Sequence, residues 1–267
     1  MVKNPLAFAA YRYILASSIL LLFTFYRYKS SIINFSLNRI LIFLLLGFTG
    51  YFTAQGLQFL GLYYLPAVTV TFILNLTPIF VLILSIIFLK EKPSYTQFIG
   101  ILLTLCGVII FFHNDISFLK NFIGISLTFI SGISWAIYMI IIRYYLRESR
   151  EKVLPLTSNT MTLGSLMLLG TAFLKGNIIP ISFNIWIIIL WLSIVNTALA
   201  FVLWNHALKT LKTYEQSILQ NGMLIQITLL ASIFLHEKLD MQKILGIIVV
   251  FIGILLVQLP IFKRKRI

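Results

Sequence analysis

The stretch Pro66–Lys92 reads PAVTVTFILNLTPIFVLILSIIFLKEK, and the stretch Lys212–Lys238 reads KTYEQSILQNGMLIQITLLASIFLHEK. Residue numbers in the two stretches differ by 146 throughout (212 against 66), which places Asn75 on Asn221 and FLKEK on FLHEK. Self-similarity at one fixed offset indicates an internal repeat. The apolar run in the first stretch is long enough for a membrane-spanning helix, which needs about 20 such residues. Together the stretches predict a membrane protein built from two related halves.

The composition of the whole chain favours a membrane protein as well. Of 267 residues, 60% are hydrophobic and 10% are charged, and the mean hydropathy is +1.01. Globular proteins have about 45–50% and 25% in these classes, so a cytosolic enzyme, a disordered chain and a secreted disulfide scaffold are excluded. The net charge of +14 is typical of the positive-inside bias of membrane loops. We therefore expect a lipid bilayer, and no nucleic acid, as the surrounding partner.

Apolar runs of spanning length predict nine transmembrane helices in an all-α, multi-pass bundle. Most lysines and arginines, including the basic tail 263–266, fall on one side of the resulting topology. The positive-inside rule places that side and the C-terminus in the cytoplasm of a cell membrane, with the N-terminus of a nine-span chain outside. The predicted spans lie near residues 6–26, 40–61, 66–89, 96–112, 122–142, 157–174, 184–207, 215–235 and 244–261.

The repeat register divides the chain into residues 1–118 and 119–267. It also places Gly100 on Gly246 and Gly107 on Gly253, and we expect these glycines to serve close helix packing. A partner for the span at 122–142 would precede residue 1, so the first half has four helices and the second has five. The two copies then have opposite orientations. Inverted repeats are the common plan of secondary transporters, whose solute site lies near the midplane between the halves.

Several short motifs follow one another in a fixed order and partly recur in the second half. They are Pro5 with Arg12-Tyr13, Ala67 with Asn75-Leu76-Thr77-Pro78, Leu89-Lys90-Glu91-Lys92-Pro93, Gln97-Phe98-Ile99-Gly100, Cys106-Gly107-Val108, Leu235-His236-Glu237-Lys238-Leu239, Ile244-Leu245-Gly246 and Ile252-Gly253. In these motifs the chain resembles the drug/metabolite transporter superfamily, specifically its EamA-type permeases. The resemblance implies a ten-helix bundle of two inverted five-helix repeats with both termini cytoplasmic. It also implies transport of amino acids and other metabolites.

The sequence departs from that family pattern in two places. The first of the ten helices is absent, which suggests either a start assigned too late or a genuine nine-helix protein. In addition, Leu224 stands opposite Pro78, where the family often has a second proline. We expect the absent helix to leave the predicted cavity without one wall.

Polar residues share one face of each of the two repeat-related spans. On the third span these are Thr71 and Asn75 together with Pro78, which are spaced by about one turn. The corresponding face of the eighth span has Ser217, Asn221 and the flanking Gln220. These faces should meet, either as a polar lining that binds a solute or as hydrogen bonds between helices. Pro78 is a candidate hinge for gating or a static bend.

Other candidates for solute contact lie in neighbouring spans, namely Gln55, Gln58, Trp135, Tyr138 and Asn205. His206 is the best candidate for a proton carrier. Arg12 is the cation deepest in a span, and it either attracts an anionic group such as a carboxylate, extends to the interface or has a structural partner.

Clusters of acids, bases or metal ligands are absent from the sequence. The histidines at 113, 206 and 236 lie in different segments, without a metal-binding spacing. We therefore expect no enzyme, catalytic residue, metal or cofactor. The predicted function is a permease or exporter of small metabolites that works by alternating access, with a homodimer as a compatible assembly. The alternative is a truncated inactive relative or a partner-dependent subunit.

Overall fold

The computed structural model describes residues 5–28, 36–113, 121–148, 151–174, 183–234 and 240–264, and every regular element in these ranges is helical. Two short π-helical turns, Gly47–Thr53 and Ile194–Leu199, interrupt the α-helices. The α-helices are α1 (Pro5–Tyr28), α2 (Leu37–Leu46), α3 (Ala54–Tyr64), α4 (Ala67–Asn75), α5 (Thr77–Leu89), α6 (Tyr95–Phe112), α7 (Phe122–Glu148), α8 (Val153–Leu174), α9 (Phe183–Ser193), α10 (Ala200–Ala207), α11 (Thr213–Gln220), α12 (Gly222–Phe234) and α13 (Met241–Arg264).

The chain is a multi-pass membrane helical bundle, as predicted. Within the described ranges, the helices long and apolar enough to span a membrane are Pro5–Tyr28, Leu37–Tyr64, Ala67–Leu89, Tyr95–Phe112, Phe122–Glu148, Phe183–Ala207 and Met241–Leu259. The other two predicted spans are also helical, as α8 and as α11 followed by α12. They contain more polar residues, among them Asn159 and Glu215. The count of nine crossings stays a prediction.

Two of the long segments break near their middle, at positions related by the repeat register. The first segment breaks between α4 and α5 at Leu76, with φ −85° and ψ −9°. The second breaks between α11 and α12 at Asn221, with φ −66° and ψ −16°. Pro78 lies in the first turn of α5, where a missing N–H costs little. The predicted bend is therefore present two residues before Pro78, and the second copy bends without a proline.

The two breaks touch each other. The Asn221 side chain donates a hydrogen bond from Nδ2 to the backbone oxygen of Asn75 over 3.1 Å, and these residues are 146 apart in sequence. The Asn75 side chain donates to the carbonyl of Thr71 in its own helix over 2.8 Å. The third and eighth predicted spans therefore meet at their breaks, through Asn221 and Asn75.

The repeat-related helices α6 and α13 pack against each other through glycines. A Cβ on Gly100 would lie 2.7 Å from the oxygen of Gly253, and one on Gly107 would lie 2.9 Å from the oxygen of Gly246. Rising residue numbers in α6 meet falling numbers in α13, so these helices run antiparallel. Residues with side chains would force the backbones apart, which confirms the packing role predicted for these four glycines.

Basic residues from several helix ends come together at one end of the bundle, here called the basic end. The Arg39 guanidinium lies 2.7 Å from the Glu151 carboxylate, and Lys209 Nζ donates to the Glu151 backbone oxygen over 3.3 Å. Lys212 Nζ donates to the Lys92 backbone oxygen over 3.1 Å. Arg39, Lys92, Lys209 and Lys212, which the predicted topology placed on one side, therefore lie at the same end of the bundle, and the orientation of that end stays a prediction.

Candidate solute-binding cavity

A cavity of about 380 Å³ lies where the two helix breaks and the second π turn face each other. Its size is in the lower part of the range of small-molecule sites. Leu74 and Thr77 flank the first break, and Gln220 and Met223 flank the second. The full lining is Arg12, Tyr13, Ala54, Gln55, Gln58, Phe59, Leu74, Thr77, Ser131, Trp135, Asn196, Ala200, Phe201, Trp204, Gln220 and Met223. Both halves of the chain therefore contribute to it.

Aromatic rings form one wall of the cavity. Trp135 stacks on Tyr138 with centroids 5.0 Å apart, and Phe201 meets Trp135 edge-on at 5.8 Å. Trp204 lies 6.2 Å from Trp135. Offset and edge-to-face contacts of this kind hold rings in fixed positions. The wall thus offers a rigid apolar surface to a solute.

Indole and amide groups supply much of the polar lining. Trp135 Nε1 donates to Gln220 Oε1 over 3.2 Å, which fixes the oxygen of that amide toward α7. Trp204 Nε1 is buried and has no hydrogen-bond partner among the described residues. Gln55 and Gln58, three residues apart on α3, add two further amides. The side-chain amides of Gln55, Gln58 and Gln220 are therefore the polar groups of this wall that line the cavity.

Arg12 brings a positive charge to the cavity from α1. Its Nε donates to Thr197 Oγ1 over 2.6 Å, and its Nη2 donates to the backbone oxygen of Asn196 over 3.2 Å. Both partners belong to the second π turn. Of the alternatives that the sequence left open for Arg12, the structure therefore shows structural partners, both in the second π turn.

A buried layer of polar side chains separates the cavity from the basic end. The hydroxyls of Tyr51 and Tyr138 share a hydrogen bond of 3.0 Å. Asn205 Nδ2 donates to the Tyr138 hydroxyl over 2.9 Å and to Thr157 Oγ1 over 3.0 Å. All four side chains are buried. We call these four residues the tyrosine–asparagine layer; fully satisfied networks of this kind hold their elements in one arrangement.

A buried ion pair lies closer still to the basic end. Arg143 Nε lies 3.2 Å from Glu91 Oε1, and the side chains are 9% and 5% exposed. The second carboxylate oxygen accepts a hydrogen bond from the backbone N–H of Thr213 over 2.8 Å. Arg143 also donates to the backbone oxygen of Leu208. Glu91 thus caps the N-terminus of α11, which the fold brings to it, and not the helix that follows it in sequence.

Comparison with known proteins identifies the family. The sequence pattern described as the EamA-like transporter family matches residues 2–113 and again residues 122–259. The chain belongs to the EamA-like transporter family. The family assignment made from the motifs is therefore confirmed.

Relatives of this EamA-like chain carry transporter names. An uncharacterized transporter of Archaeoglobus fulgidus is 31% identical over 209 residues, which cover 78% of this chain and 71% of the relative. The uncharacterized transporter YyaM of Bacillus subtilis is 23% identical over 98% of this chain and 88% of the relative. A crystal structure with 15% sequence identity superimposes with a TM-score of 0.80, covering 96% of this chain and 89% of the other. That structural likeness shows the fold alone.

Five of the predicted site residues of the EamA-like chain lie together in the cavity lining: Arg12, Gln55, Gln58, Trp135 and Gln220. Tyr138 and Asn205 form part of the tyrosine–asparagine layer instead. His206 is exposed and is not among the lining residues.

The polar face around the helix breaks is not among the lining residues either. Thr71 and Asn75 are half-buried in α4, and Asn221 bonds to α4 rather than facing the cavity. Ser217 is buried, and its hydroxyl has no partner within the described part of the chain. The sequence left two interpretations of this face open, a polar lining for a solute or hydrogen bonds between helices. The Asn221 contact is of the second kind. Pro78 is buried at the start of α5.

Sequence reasoning missed Ser131, Asn196, Phe201 and Trp204 as lining residues. One signal was available, since the repeat register pairs Trp204 with Gln58 and both line the cavity. Nothing in the sequence marks the π turn that brings Asn196 to Arg12.

In the described ranges no three His, Cys, Asp or Glu side chains are grouped to hold a metal ion; Glu237 and His236 lie outside these ranges.

Proposed function

We propose that the protein is a secondary transporter, a permease or exporter of small metabolites such as amino acids, which works by alternating access. The observation that carries this proposal is the cavity between the halves, closed toward the basic end by layers that cross from one half to the other. The relatives named transporters support the same function. We propose no enzymatic activity for it.

Alternating access requires two bodies that rock against each other, and we propose residues 1–118 and 119–267 as inverted repeats for this role. The separate family matches to 2–113 and 122–259 support the division. The antiparallel glycine packing of α6 on α13 also supports a pseudo-twofold relation. The repeat register pairs Gly100 with Gly246 and Gly107 with Gly253, and in the contact Gly100 meets Gly253 while Gly107 meets Gly246. Such reciprocal contacts are expected between elements related by a twofold axis. Asn221 and Asn75 are also paired by the repeat register, so their direct contact supports the same pseudo-twofold relation.

The closing layers support a specific direction of access. Tyr51 and Glu91 belong to the first half, whereas their partners Tyr138, Arg143 and Thr213 belong to the second. Rocking that opens the basic end must separate these pairs. We propose that the basic end and the C-terminus face the cytoplasm of the cell membrane, so that the structure represents a form closed to the cytoplasm.

The test is solute flux through purified protein in proteoliposomes. Vesicles loaded with labelled amino acids should lose them faster and saturably when they contain the protein. Ala200→Trp places an indole in the cavity and should abolish flux. Leu203→Trp on the same helix, whose native side chain is 59% exposed, is the matched control and should preserve it.

Equal flux in both variants would refute the cavity as the route. A folded parent protein without flux for any solute would favour the alternative of an inactive relative or a partner-dependent subunit. Flux that appears only when a second membrane protein is co-reconstituted would select the subunit.

A further inference from the structure

The charge of Arg12 is not neutralised by any acidic side chain in the part of the chain that the structure describes. Its contacts are Thr197 Oγ1, the Asn196 backbone oxygen and the face of the Tyr13 ring at 5.7 Å. None of the lining residues is Asp or Glu. Arg12 is half-buried at the cavity, and ionisable residues within membrane-spanning segments commonly mark a ligand pathway.

Several hydrogen-bond donors of the cavity lining also have no acceptor among the described residues. A guanidinium has five N–H groups and no acceptor, and the two hydrogen bonds of Arg12 use two of the five. The oxygen of Gln220 is already occupied by the indole N–H of Trp135. The amide nitrogen of Gln220 and the remaining N–H groups of Arg12 therefore await acceptors.

We infer that the cavity selects organic anions, with a carboxylate bound at Arg12 and an apolar or aromatic body against Trp135, Phe201 and Trp204. This inference rests on the proposed function, because it assigns a substrate class to the same cavity. A carboxylate supplies the missing negative charge and accepts several hydrogen bonds at once, and charge-assisted bonds are the strongest of this kind. The stacked rings offer the matching apolar surface.

The same lining disfavours a positive charge on the solute. A zwitterion gains the Arg12 contact but must place its ammonium group where only neutral amide oxygens, such as those of Gln55 and Gln58, are present. An amine would meet the guanidinium with a like charge. The expected order of affinity is carboxylate first, then zwitterion, then neutral amide, and last amine.

The experiment measures binding of four probes with one common body: 3-phenylpropionate, phenylalanine, 3-phenylpropanamide and 3-phenylpropylamine. Quenching of tryptophan fluorescence in purified full-length protein in nanodiscs reports occupancy beside Trp135 and Trp204. We expect 3-phenylpropionate to bind about 10- to 100-fold more tightly than its amide, from one charge-assisted contact. Arg12→Gln should reduce this ratio to about one, whereas Arg12→Lys should keep part of it.

A matched variant separates recognition from support of the fold. Thr197→Val removes the strongest structural partner of Arg12 while leaving its charge. Recognition by charge predicts that this variant keeps the preference for the carboxylate. Loss of the preference in Thr197→Val to the extent seen in Arg12→Gln would overturn the inference, as would a parent protein that binds amide and carboxylate equally.

Failure of this inference is distinguishable from failure of the proposed function. If all four probes bind with similar affinity and Ala200→Trp abolishes their binding, the cavity is a solute site without charge selection. If no probe binds, while the wider series of labelled amino acids still moves in proteoliposomes, the anion assignment is wrong but transport stands. Absence of both binding and flux contradicts both proposals.

Discussion

Replacing Glu91 by Gln is expected to open the basic end of the bundle. The carboxylate of Glu91 joins the two halves through Arg143 and the backbone N–H of Thr213. Glutamine has nearly the same shape and still accepts one of these hydrogen bonds, but it leaves the guanidinium without a counter-charge. Because these contacts join the two halves only when the basic end is closed, we expect their loss to destabilise the closed form relative to the open form.

The magnitude follows from the burial of the pair. The side chains of Arg143 and Glu91 are 9% and 5% exposed, and removing one partner of a buried pair costs about 3–5 kcal/mol. Since the glutamine oxygen retains one contact, we expect about 3 kcal/mol. At 1.4 kcal/mol for each factor of ten, the ratio of open to closed forms should rise about 100-fold.

The assay is labelling of a thiol that only the open form exposes. Ser217 is buried one turn into α11 from Thr213, and its hydroxyl has no partner, so Ser217→Cys is a mild change. The native Cys106 is exposed and is first replaced by Ser. Reagent added at the basic end should then label the Ser217→Cys thiol much faster when Glu91→Gln is also present.

The ion pair of Arg39 and Glu151 at the same end provides the control. Its side chains are 18% and 19% exposed, and pairs nearer the surface contribute about 0–1 kcal/mol. Glu151→Gln should therefore change the labelling rate less than about fivefold. Equal rates in Glu91→Gln and Glu151→Gln would refute the gating role. A lower thermal midpoint for Glu91→Gln without faster labelling would mean that the pair supports only the fold.

Three further predictions concern thermal midpoints of purified variants in detergent. Gly107→Ala should unfold well below the parent, because its Cβ would lie 2.6 Å from the Val250 nitrogen, whereas Gly170→Ala meets nothing within 4 Å and should be neutral or slightly stabilised; equal midpoints would contradict the packing argument. Asn205→Leu should cost about 2–4 kcal/mol, because buried hydroxyl groups lose their partner. Asn221→Leu should destabilise more than Asn75→Leu, because only Asn221 bonds across the helices through its side chain.

Much of the fold was predictable from the sequence, because apolar runs of fixed length leave a membrane chain few alternatives. The predicted span at 66–89 corresponds to helical residues 67–89, and the span at 184–207 to residues 183–207. The offset of the repeat also predicted a long-range contact, that between the segments of Asn75 and Asn221. Offset and apolar length are properties of the chain itself, so they can be read before folding.

The cavity was only partly predictable, because helical spacing fixes which residues share a face but not which neighbour that face meets. Tyr138 and Asn205 were both expected to touch solute, yet they hydrogen-bond to each other. Thr71 shares a face with Asn75, but Asn221 hydrogen-bonds directly to the Asn75 backbone oxygen there, and neither Thr71 nor Asn75 is among the lining residues of the cavity. Interhelical distance decides between the two roles, and no pattern in one helix reports it.

The irregular backbone is what builds the site, and this explains why its residues were the hardest to predict. A regular helix in lipid uses its own backbone groups for hydrogen bonding and offers a solute only side chains. Here the second π turn aims the Asn196 backbone oxygen and the Thr197 hydroxyl at Arg12, and thereby holds a cation at the cavity. π-Helical insertions are rare and frequent at functional sites. Because neither Asn196 nor Thr197 carries a local signal for such a turn, the most informative feature of the cavity became visible only in three dimensions.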